Sequence, residues 1–570
     1  MKSKFIKALA ALTTVALLSS CGGGSATETS TKKKELTGTK NTIYEAQDMS
    51  KNPEVAKKRK DTLVIGTEAP DGVFNPVFME SAYDTYITEA MFAYLLNNDA
   101  EGEVTEGLAK MPEVSDDGLT YTIKLKDNLK WSDGSKLTTK DVAFTIKLIC
   151  DGGYDGPLDL VNGKTKIKGA KEYQEGTASD ISGIEIVDDQ TMKITLVEKT
   201  SSAIYDLGGF MPMPESYYGK DYKQGSTDSI KALNEKPEVS SGPYKFVSYA
   251  SGQEVKLVAN DNYYDGKAKV KNIIYKVTTN DTRLQMLQTG EIDMDELTIG
   301  QDNVEATEAA GFLSYQYFPT NGYGYMAFNC AKPQFKDKVV RQALTTALNR
   351  KKIVDSVYDQ YASVINVNQS KVSWAFYAGK NKYDYDLEKA KKMLDDAGWK
   401  PGSDGIREKD GVKLSLHFLG TSNNPVVDAI LSVATDDWKE LGVDFSSEKV
   451  DFNQMRAKQK TGDFDMLFMA WGLIANPNDS DIFATNGSQN NTNYSNEKVD
   501  ELYNKLNSEL DKDKQKELYK ELYTEINEDL PYIFMYQRND MWAMNGRVKG
   551  LDISPYVHYT QMLNKVTLEK

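Results

Sequence analysis

The chain has 570 residues and a formal net charge of -15, from 69 basic and 84 acidic side chains. This acidic balance argues against binding of nucleic acid, whose phosphates attract lysine and arginine, and it favours solubility outside the cell. The length exceeds what a single hydrophobic core organises, so the sequence predicts two or three domains.

The amino terminus has the pattern of an export signal. Lysines flank Ser3, an apolar run extends from Phe5 to Leu18, and small residues precede Cys21. The run is shorter than the roughly 18 to 20 residues that span a bilayer, and its basic start is typical of a cleaved signal peptide, predicted over residues 1–20. The order of these residues is similar to that of bacterial lipoproteins, which implies that Cys21 carries the lipid.

The segment that follows is polar. Residues 21–60 are rich in Gly, Ser, Thr, Lys and Glu and contain few large apolar side chains. Such a segment cannot bury enough apolar surface to offset the entropy lost on ordering. We therefore predict a flexible, lipid-anchored tether between the membrane and the globular part.

Apart from Cys21, the cysteines are Cys150 and Cys330, which are far apart and lack the spacing of a metal site or redox motif. We expect two buried free thiols, and a disulfide between them is the alternative. Neither a cofactor nor a metal is predicted.

Strand patterns dominate the first half of the globular part. Apolar and polar residues alternate over 119–126 and again over 192–196, a period typical of half-buried strands. Between them, Thr138 and Asp141 form a capping-box pattern ahead of an apolar run, which predicts the start of a helix.

Helix patterns become more frequent in the second half. Between Asp386, a candidate cap, and Gly398, a candidate stop, apolar residues recur every three or four positions, and residues 499–510 repeat the pattern. We interpret both stripes as faces that pack into a core. Strands mixed with helices predict a mixed α/β (α+β) architecture with more than one core.

Several passages together carry a resemblance to a known family. They are "EGLAKMPEVSDDGLTYTIKLKDNLKWSDGSKLTTKDVAFTI" (106–146), "SGPYKFVSYASGQEVKLVANDNYYDG" (241–266), "GEIDM" (290–294), "FKDKVVRQALTTALNRKKIV" (335–354), "YDLEKAKKMLDDAGW" and "YSNEKVDELYNKL". In this order, the chain resembles the extracellular solute-binding proteins of family 5, typified by the oligopeptide- and dipeptide-binding proteins of bacterial ABC importers. Within these passages, Arg341 and Arg350 are predicted to pair with carboxylates and hold their helix in place.

The resemblance implies a fold of two lobes that close on a ligand, similar to type II periplasmic binding proteins with an extra inserted domain. Domain I would comprise residues 61–83, 207–297 and 540–570, with domain II (84–206) inserted in it. Domain III would comprise residues 298–539. The chain would cross between the lobes near 297–300 and near 537–540, and these crossings would form the hinge.

Candidate ligand-binding residues follow from the residue types themselves and from the family resemblance. In "TNGYGY", Asn321, Gly322, Tyr323 and Gly324 combine glycines that permit close backbone approach with flat aromatic walls; an ordinary glycine-weakened strand is the alternative. The resemblance adds the following positions: Asn75, Tyr83, Phe210, Trp374 and Trp471.

Recognition of a ligand amine is an open question in the sequence. In many peptide-binding members of the family, an aspartate three residues after the tryptophan at position 471 pairs with the peptide's amino terminus. Here that position is Ile474. Asp479 or Asp481 would be the substitute, because a buried ammonium group needs an opposite charge; alternatively, Asp479 caps the helical turn that follows it.

The sequence favours a binding protein over an enzyme. It contains only His417 and His558, and it lacks the Gly-x-Ser-x-Gly, P-loop and His-Glu-x-x-His motifs. By resemblance, we expect a monomeric lipoprotein at the outer face of the bacterial cytoplasmic membrane that delivers short peptides to ABC permease and ATPase subunits. Oligosaccharides or another small solute are the alternative ligands, and a tethered sensor without transport is the alternative role.

Overall fold

The computed structural model describes residues 42–569. The predicted signal peptide, Cys21 and the first part of the predicted tether, up to residue 41, lie outside the described residues. Of the helices in the described part, none has the length and apolar character needed to cross a membrane.

The strands of residues 42–569 are numbered here in chain order. They are β1 Thr42–Tyr44, β2 Thr62–Thr67, β3 Leu96–Asn98, β4 Val104–Glu106, β5 Glu113–Val114, β6 Thr120–Lys124, β7 Ile184–Ile186, β8 Thr191–Thr195, β9 Tyr244–Ala250, β10 Glu254–Ala259, β11 Asn272–Val277, β12 Met294–Leu297, β13 Leu313–Pro319, β14 Gly322–Phe328, β15 Ala362–Ser363, β16 Lys400–Pro401, β17 Arg407–Lys409, β18 Val412–Lys413, β19 Ser415–Thr421, β20 Asp444–Val450, β21 Met466–Gly472, β22 Tyr532–Asn545, β23 Val548–Lys549 and β24 Thr567–Leu568.

The α-helices are numbered in the same way. They are α1 Glu54–Lys58, α2 Ala82–Met91, α3 Thr139–Ile149, α4 Ala170–Gln174, α5 Ala203–Gly208, α6 Glu215–Tyr218, α7 Asp228–Lys231, α8 Arg283–Gln288, α9 Gln301–Ala310, α10 Lys338–Thr346, α11 Arg350–Tyr358, α12 Leu387–Asp396, α13 Pro425–Leu441, α14 Phe452–Thr461, α15 Ser480–Phe483, α16 Glu497–Ser508 and α17 Lys512–Asp529.

One long strand joins the two halves of the main sheet. The sheet has the order β20-β19-β21-β14-β22-β12-β2-β11-β10-β9, with β1, β13 and β15 attached beside this path. β22 pairs with β14 through its first residues, where Gly324 lies opposite Tyr536, and with β12 further on, where Leu297 lies opposite Met541. The middle of β22 therefore lies between two portions of sheet, in the segment predicted to cross between lobes.

The predicted alternating strands form a smaller, separate sheet. β6 and β8 pair antiparallel at its centre, with β5 and β7 outside them. Tyr121, Ile123, Met192 and Ile194 are buried, whereas the residues between them are more exposed. The period of two thus places one face of this sheet against a core, as predicted.

The predicted helix signals are present. Thr138 and Asp141 form the capping box at the start of α3. Asp386 accepts a hydrogen bond from the Lys389 amide at the start of α12, and Gly398 follows that helix with a φ of +87°. Each cap satisfies backbone groups that a helix end leaves unpaired.

The globular part begins earlier than residue 60, where we expected the tether to end. β1 pairs antiparallel with β13, and Tyr44 stacks on Tyr315 with ring centroids 4.5 Å apart. α1 also falls within this segment, and its Ala56 is fully buried. Local composition did not predict an ordered segment here, because the residues that stabilise it come from a strand more than 250 residues further along the chain.

Arg341 and Arg350 hold their helices in a way that differs from the prediction. Arg341 donates to the carbonyl oxygens of Phe335, Asp529 and Leu530, and Arg350 donates mainly to backbone carbonyls, among them those of Ile365 and Phe534. The prediction that they pair with carboxylates was therefore wrong. A guanidinium presents five donors in a fixed fork, which suits it to join several carbonyls of converging segments.

Both cysteines in the described residues are free thiols. Cys150 is buried and Cys330 is partly buried. Burial raises the pKa of the Cys150 thiol to about 12 and that of Cys330 to about 11, so both remain protonated and unreactive at neutral pH. The alternative of a disulfide between them was wrong.

Candidate ligand-binding cavity

A cavity of about 1050 Å³ lies where the main sheet meets residues 84–206. Its walls come from distant parts of the chain: the loop 157–164, helix α5, the start of β14, the end of β21 and the middle of β22. This volume is at the upper end of the range of small-molecule sites. The cavity can therefore hold a ligand larger than a single amino acid.

Six of the ten predicted ligand-binding residues line this cavity. They are Phe210, Asn321, Gly322, Tyr323, Gly324 and Trp471. Tyr83 lines a side cavity of about 180 Å³ that shares four wall residues with the main one. The topology therefore brings together residues that the sequence separates by more than 380 positions.

The glycines of β14 allow close packing of neighbouring protein strands. A Cβ atom on Gly322 would lie 2.4 Å from the carbonyl oxygen of Trp471, and one on Gly324 would lie 2.5 Å from the ring of Tyr536. Both contacts are shorter than atoms tolerate, so neither position accepts a side chain without a shift. The close approach that we expected toward a ligand is made toward the flanking strands β21 and β22.

The aromatic residues of this wall are held by stacking. Trp471 is partly buried and stacks on Tyr325 at 6.0 Å between ring centroids, and Tyr325 stacks on Tyr532 at 4.2 Å. Tyr323 is 2 % exposed, and its ring packs edge-on against Phe534. Trp471 is thus a rigid, flat surface at the cavity, whereas the side chain of Tyr323 mainly fills the core.

Asn321 positions the loop that follows β21. Its side-chain nitrogen donates to the carbonyl oxygens of Leu473 and Ile474, at 2.9 and 3.3 Å, and its own carbonyl accepts from the Leu473 amide at 2.8 Å. The side-chain oxygen of Asn321 is buried and has no partner in the described residues. Ile474 is 71 % exposed and lines the cavity.

Three predicted residues line neither the main cavity nor the side cavity. Asn75 is fully buried, and its side-chain oxygen accepts from the amide of Val77 at 3.2 Å. Trp374 packs edge-on against Tyr519, and the ammonium of Lys512 lies 4.6 Å from its ring centroid. Both residues stabilise segments near the cavity, and we do not include them in the proposed set of ligand contacts.

Asp479 is the third of these residues, and its carboxylate is hydrogen-bonded within the protein. It accepts hydrogen bonds from Asn368 at 2.6 Å and from Tyr503 at 2.7 Å. Burial raises the pKa of Asp479 to about 6 despite these donors. It precedes α15 as its cap residue, but its side chain makes no capping bond. Of the two aspartates considered for a ligand amine, only Asp481 lines the cavity.

The cavity is strongly acidic. Six carboxylates and two cationic side chains line it: Glu89, Asp159, Asp206, Glu296, Asp481 and Asp540 against Lys164 and Arg538. Both cations are already paired, Lys164 with Asp481 at 2.8 Å and Arg538 with Asp540 at 3.1 Å. Burial lowers the pKa of His558, which also lines the cavity, to about 3, so it adds no positive charge.

Most of these charged residues were missed by sequence reasoning. Residues 537–540, Gln-Arg-Asn-Asp, are four consecutive polar residues inside an otherwise apolar strand, and this interruption was a usable signal. Glu296 follows the "GEIDM" passage and gives no comparable local signal. Its place at the cavity depends on the pairing of β12 with β22.

Several contacts cross from residues 84–206 to the second half of the chain. Lys164 pairs with Asp481, Ser201 donates its amide to the Asn507 carbonyl at 2.8 Å, and Asn476 donates to the Ser202 hydroxyl at 3.0 Å. Lys512 also pairs with Glu103. These contacts hold the cavity walls together in the arrangement seen here.

A cavity of this size, lined by residues from three hydrophobic cores, is typical of a protein that encloses a small solute. The family model of bacterial extracellular solute-binding proteins, family 5, matches residues 103–494. The chain belongs to this family.

Known relatives cover nearly the whole chain. The oligopeptide-binding protein AppA of Bacillus subtilis is 28% identical over 507 residues, which covers 86% of this chain and 89% of AppA. The oligopeptide-binding protein OppA of the same organism is 26% identical over 511 residues, covering 87% of this chain and 90% of OppA.

Solved structures confirm the fold class. The AppA structure, determined in complex with a nonapeptide, has a TM-score of 0.72 at 28% identity and covers 90% of this chain and 99% of AppA. The ABC transporter substrate-binding protein CtaP of Listeria monocytogenes has a TM-score of 0.76 at 26% identity and covers 90% of this chain and 100% of CtaP. The predicted mixed α/β fold of solute-binding type is therefore correct.

Proposed function

We propose that this protein captures short peptides in the cavity and delivers them to an ABC importer. The observation that carries this proposal is the cavity itself, about 1050 Å³ in volume and lined by the start of β14 and the end of β21. β14 pairs with β21 from Gly322 onward, but its register with β22 begins only at Gly324. An extended peptide adds to such backbone through main-chain hydrogen bonds, which give affinity without reading side chains.

The relatives support a peptide ligand and a transport role. AppA and OppA are named for oligopeptide binding, AppA was solved with a nonapeptide, and CtaP is described as an ABC transporter protein. The family consists of solute-binding proteins, so the family match does not support a catalytic role.

Ligand binding increases the free energy of unfolding by mass action, by about 2.7 kcal/mol at a ligand concentration one hundred times Kd, and so raises the melting temperature. We expect nonapeptides to raise the melting temperature of the purified protein by several degrees and oligosaccharides to leave it unchanged. If oligosaccharides shift the transition and peptides do not, the peptide assignment is wrong.

We also propose that Cys21 anchors the protein by lipid to the outer face of the cytoplasmic membrane. The amino-terminal pattern supports this proposal, and two or three acyl chains bind a membrane stably because each buried methylene contributes about 0.8 kcal/mol. Cys21→Ser should move the protein from the membrane fraction to the soluble fraction with unchanged peptide affinity. Membrane retention of the variant would contradict the anchor.

A further inference from the structure

A side cavity of about 180 Å³ lies beside the main cavity. The two cavities share Tyr86, Glu296, Arg538 and Trp542 as wall residues. The side cavity is much smaller than the main one and has the dimensions of a single side-chain pocket. A peptide in the main cavity would therefore reach it with one side chain.

The charges around this side cavity do not balance. Glu68 pairs with Arg283 at 3.0 Å, and Asp540 pairs with Arg538 at 3.1 Å, so both arginines are matched by a carboxylate. Asp295 and Glu296 remain, and within residues 42–569 no ion pair reaches either of them. Two carboxylates without a cation are unusual inside a protein, because burial of an unpaired charge is costly.

Glu296 is the carboxylate that faces both cavities. Its carboxylate receives no hydrogen bond from the described residues, whereas Asp295 accepts one from the hydroxyl of Thr278 at 2.8 Å. Burial and the charge of Asp540 raise the pKa of Glu296 to about 7, and burial raises that of Asp295 to about 6. For both carboxylates, burial outweighs the attraction of the nearby arginines, Arg283 for Asp295 and Arg538 with Arg283 for Glu296.

Aromatic rings complete the walls of the side cavity. Tyr83, Tyr86 and Trp542 line it, and Tyr83 and Tyr86 pack edge-on at 6.5 Å between centroids. Aromatic faces attract cations and also pack against the methylene stem of a long side chain. Carboxylates beside aromatic walls are the environment that suits a lysine or arginine side chain.

We propose that this side cavity is a subsite for a lysine or arginine side chain of the bound peptide, and that Glu296 determines this specificity. The proposal rests on the peptide-binding function proposed above. It assigns the ligand a class, namely peptides that carry a cationic side chain at one fixed position. A charged hydrogen bond to Glu296 would give a preference of about tenfold or more over an uncharged side chain of the same size.

The test uses nonapeptides of alanine and glycine in which one residue is lysine or norleucine, its uncharged isostere. The variable residue is moved through every position, and affinities are measured by calorimetry. We expect lysine to bind at least about tenfold more tightly than norleucine at one position and no more than about twofold more tightly elsewhere. Glu296→Gln should reduce the preference to about twofold by weakening the binding of the lysine peptide.

Glu175→Gln is the matched control, because it removes one negative charge from an exposed position that lines neither cavity. It should keep the full preference for lysine. Equal binding of lysine and norleucine peptides at all positions would overturn the subsite but leave peptide binding intact. A preference that survives in Glu296→Gln would also overturn it, and failure of every peptide to bind the unmodified protein would reject the proposed function itself.

Discussion

The polar side chains near the cavity differ in whether they form hydrogen bonds within the protein. Asn321 and Asp479, two of the predicted ligand contacts, have hydrogen-bond partners within the second half of the chain. Glu296 has none for its carboxylate. A group without a protein partner is free to bind a ligand, and it is also the group whose protonation responds most directly when the ligand arrives.

The preference for lysine is therefore expected to depend on pH. In the empty protein the pKa of Glu296 is raised to about 7, so the carboxyl group is largely protonated at pH 6 and largely ionised at pH 8. A bound ammonium favours the ionised form, so the affinity ratio of lysine to norleucine peptides should rise by severalfold from pH 6 to pH 8. Calorimetry at both pH values measures this ratio, and Glu296→Gln should flatten the dependence.

Other titratable or charged groups lie around Glu296, and the tyrosines among them stay neutral between pH 6 and pH 8 because burial raises their pKa. These groups are Asp295 on its own strand, Arg538 and Asp540 on β22, Arg283 on α8, Tyr83 and Tyr86 on α2, and Glu68. Asp295, with a pKa of about 6, adds to the rise at the lower end of this pH range. A ratio that falls between pH 6 and pH 8 would contradict the role of Glu296.

Single residues were predictable where their chemistry is local. The "TNGYGY" segment and Trp471 stand out by composition, and both line the cavity. Glu296, Asp206 and Lys164 do not stand out, because a lone charged residue in a sequence is ordinary. Their roles arise from long-range strand pairing and from contact between distant segments, which local patterns do not encode.

Among the strands, β14 and β21 form one wall of the cavity. Two glycines face each other across these strands, and the tight packing of the wall depends on only one of them. Gly322 lies directly opposite Gly472 in the register of these strands. The two positions differ sharply in the space around them, since a Cβ on Gly322 would meet the Trp471 carbonyl whereas one on Gly472 would meet nothing within 4 Å.

Gly322→Ala is expected to destabilise the protein by about 1–3 kcal/mol, because the added methyl group overpacks the wall. Gly472→Ala should change the free energy of unfolding by less than about 0.5 kcal/mol, since its side chain points into open space. Denaturant unfolding monitored by fluorescence measures both. An equal loss of unfolding free energy in the two variants would contradict the difference in space around Gly322 and Gly472.

Elements with a strong local signal were predictable, including the small sheet around β6 and β8, the start of α3 and the extent of α12. The order of residues 42–58 was not, because β1 is stabilised by β13 from far along the chain. β22 was predicted only as a crossing point, although one strand of 14 residues connects both portions of the main sheet. Strands that pair across hundreds of residues of sequence carry no periodic pattern that identifies the partner strand.

For the whole molecule, the contacts that cross the cavity hold its walls together in the arrangement seen here. The Lys164–Asp481 ion pair joins residues 84–206 to the second half of the chain at the cavity wall, and Lys164 also donates to the Asn478 carbonyl at 2.6 Å. A ligand that binds the arrangement with these contacts is retained longer when that arrangement is more populated.

Lys164→Met is expected to speed peptide dissociation by about two- to fivefold, the range for a partly exposed ion pair, with little effect on thermal stability. Lys166→Met is the matched control, because Lys166 pairs with Glu198 at 2.9 Å and both residues belong to residues 84–206. Stopped-flow tryptophan fluorescence reports the dissociation rate. Identical rates for the two variants would mean that the pair across the cavity does not contribute to retention.

Native mass spectrometry of the purified protein would show whether the cavity holds a peptide. We expect added masses of several hundred daltons or more that are lost on unfolding and that fragment as peptides, with lysine or arginine over-represented among them. Copurified masses that fragment as oligosaccharides, together with no binding of added peptides, would contradict the account.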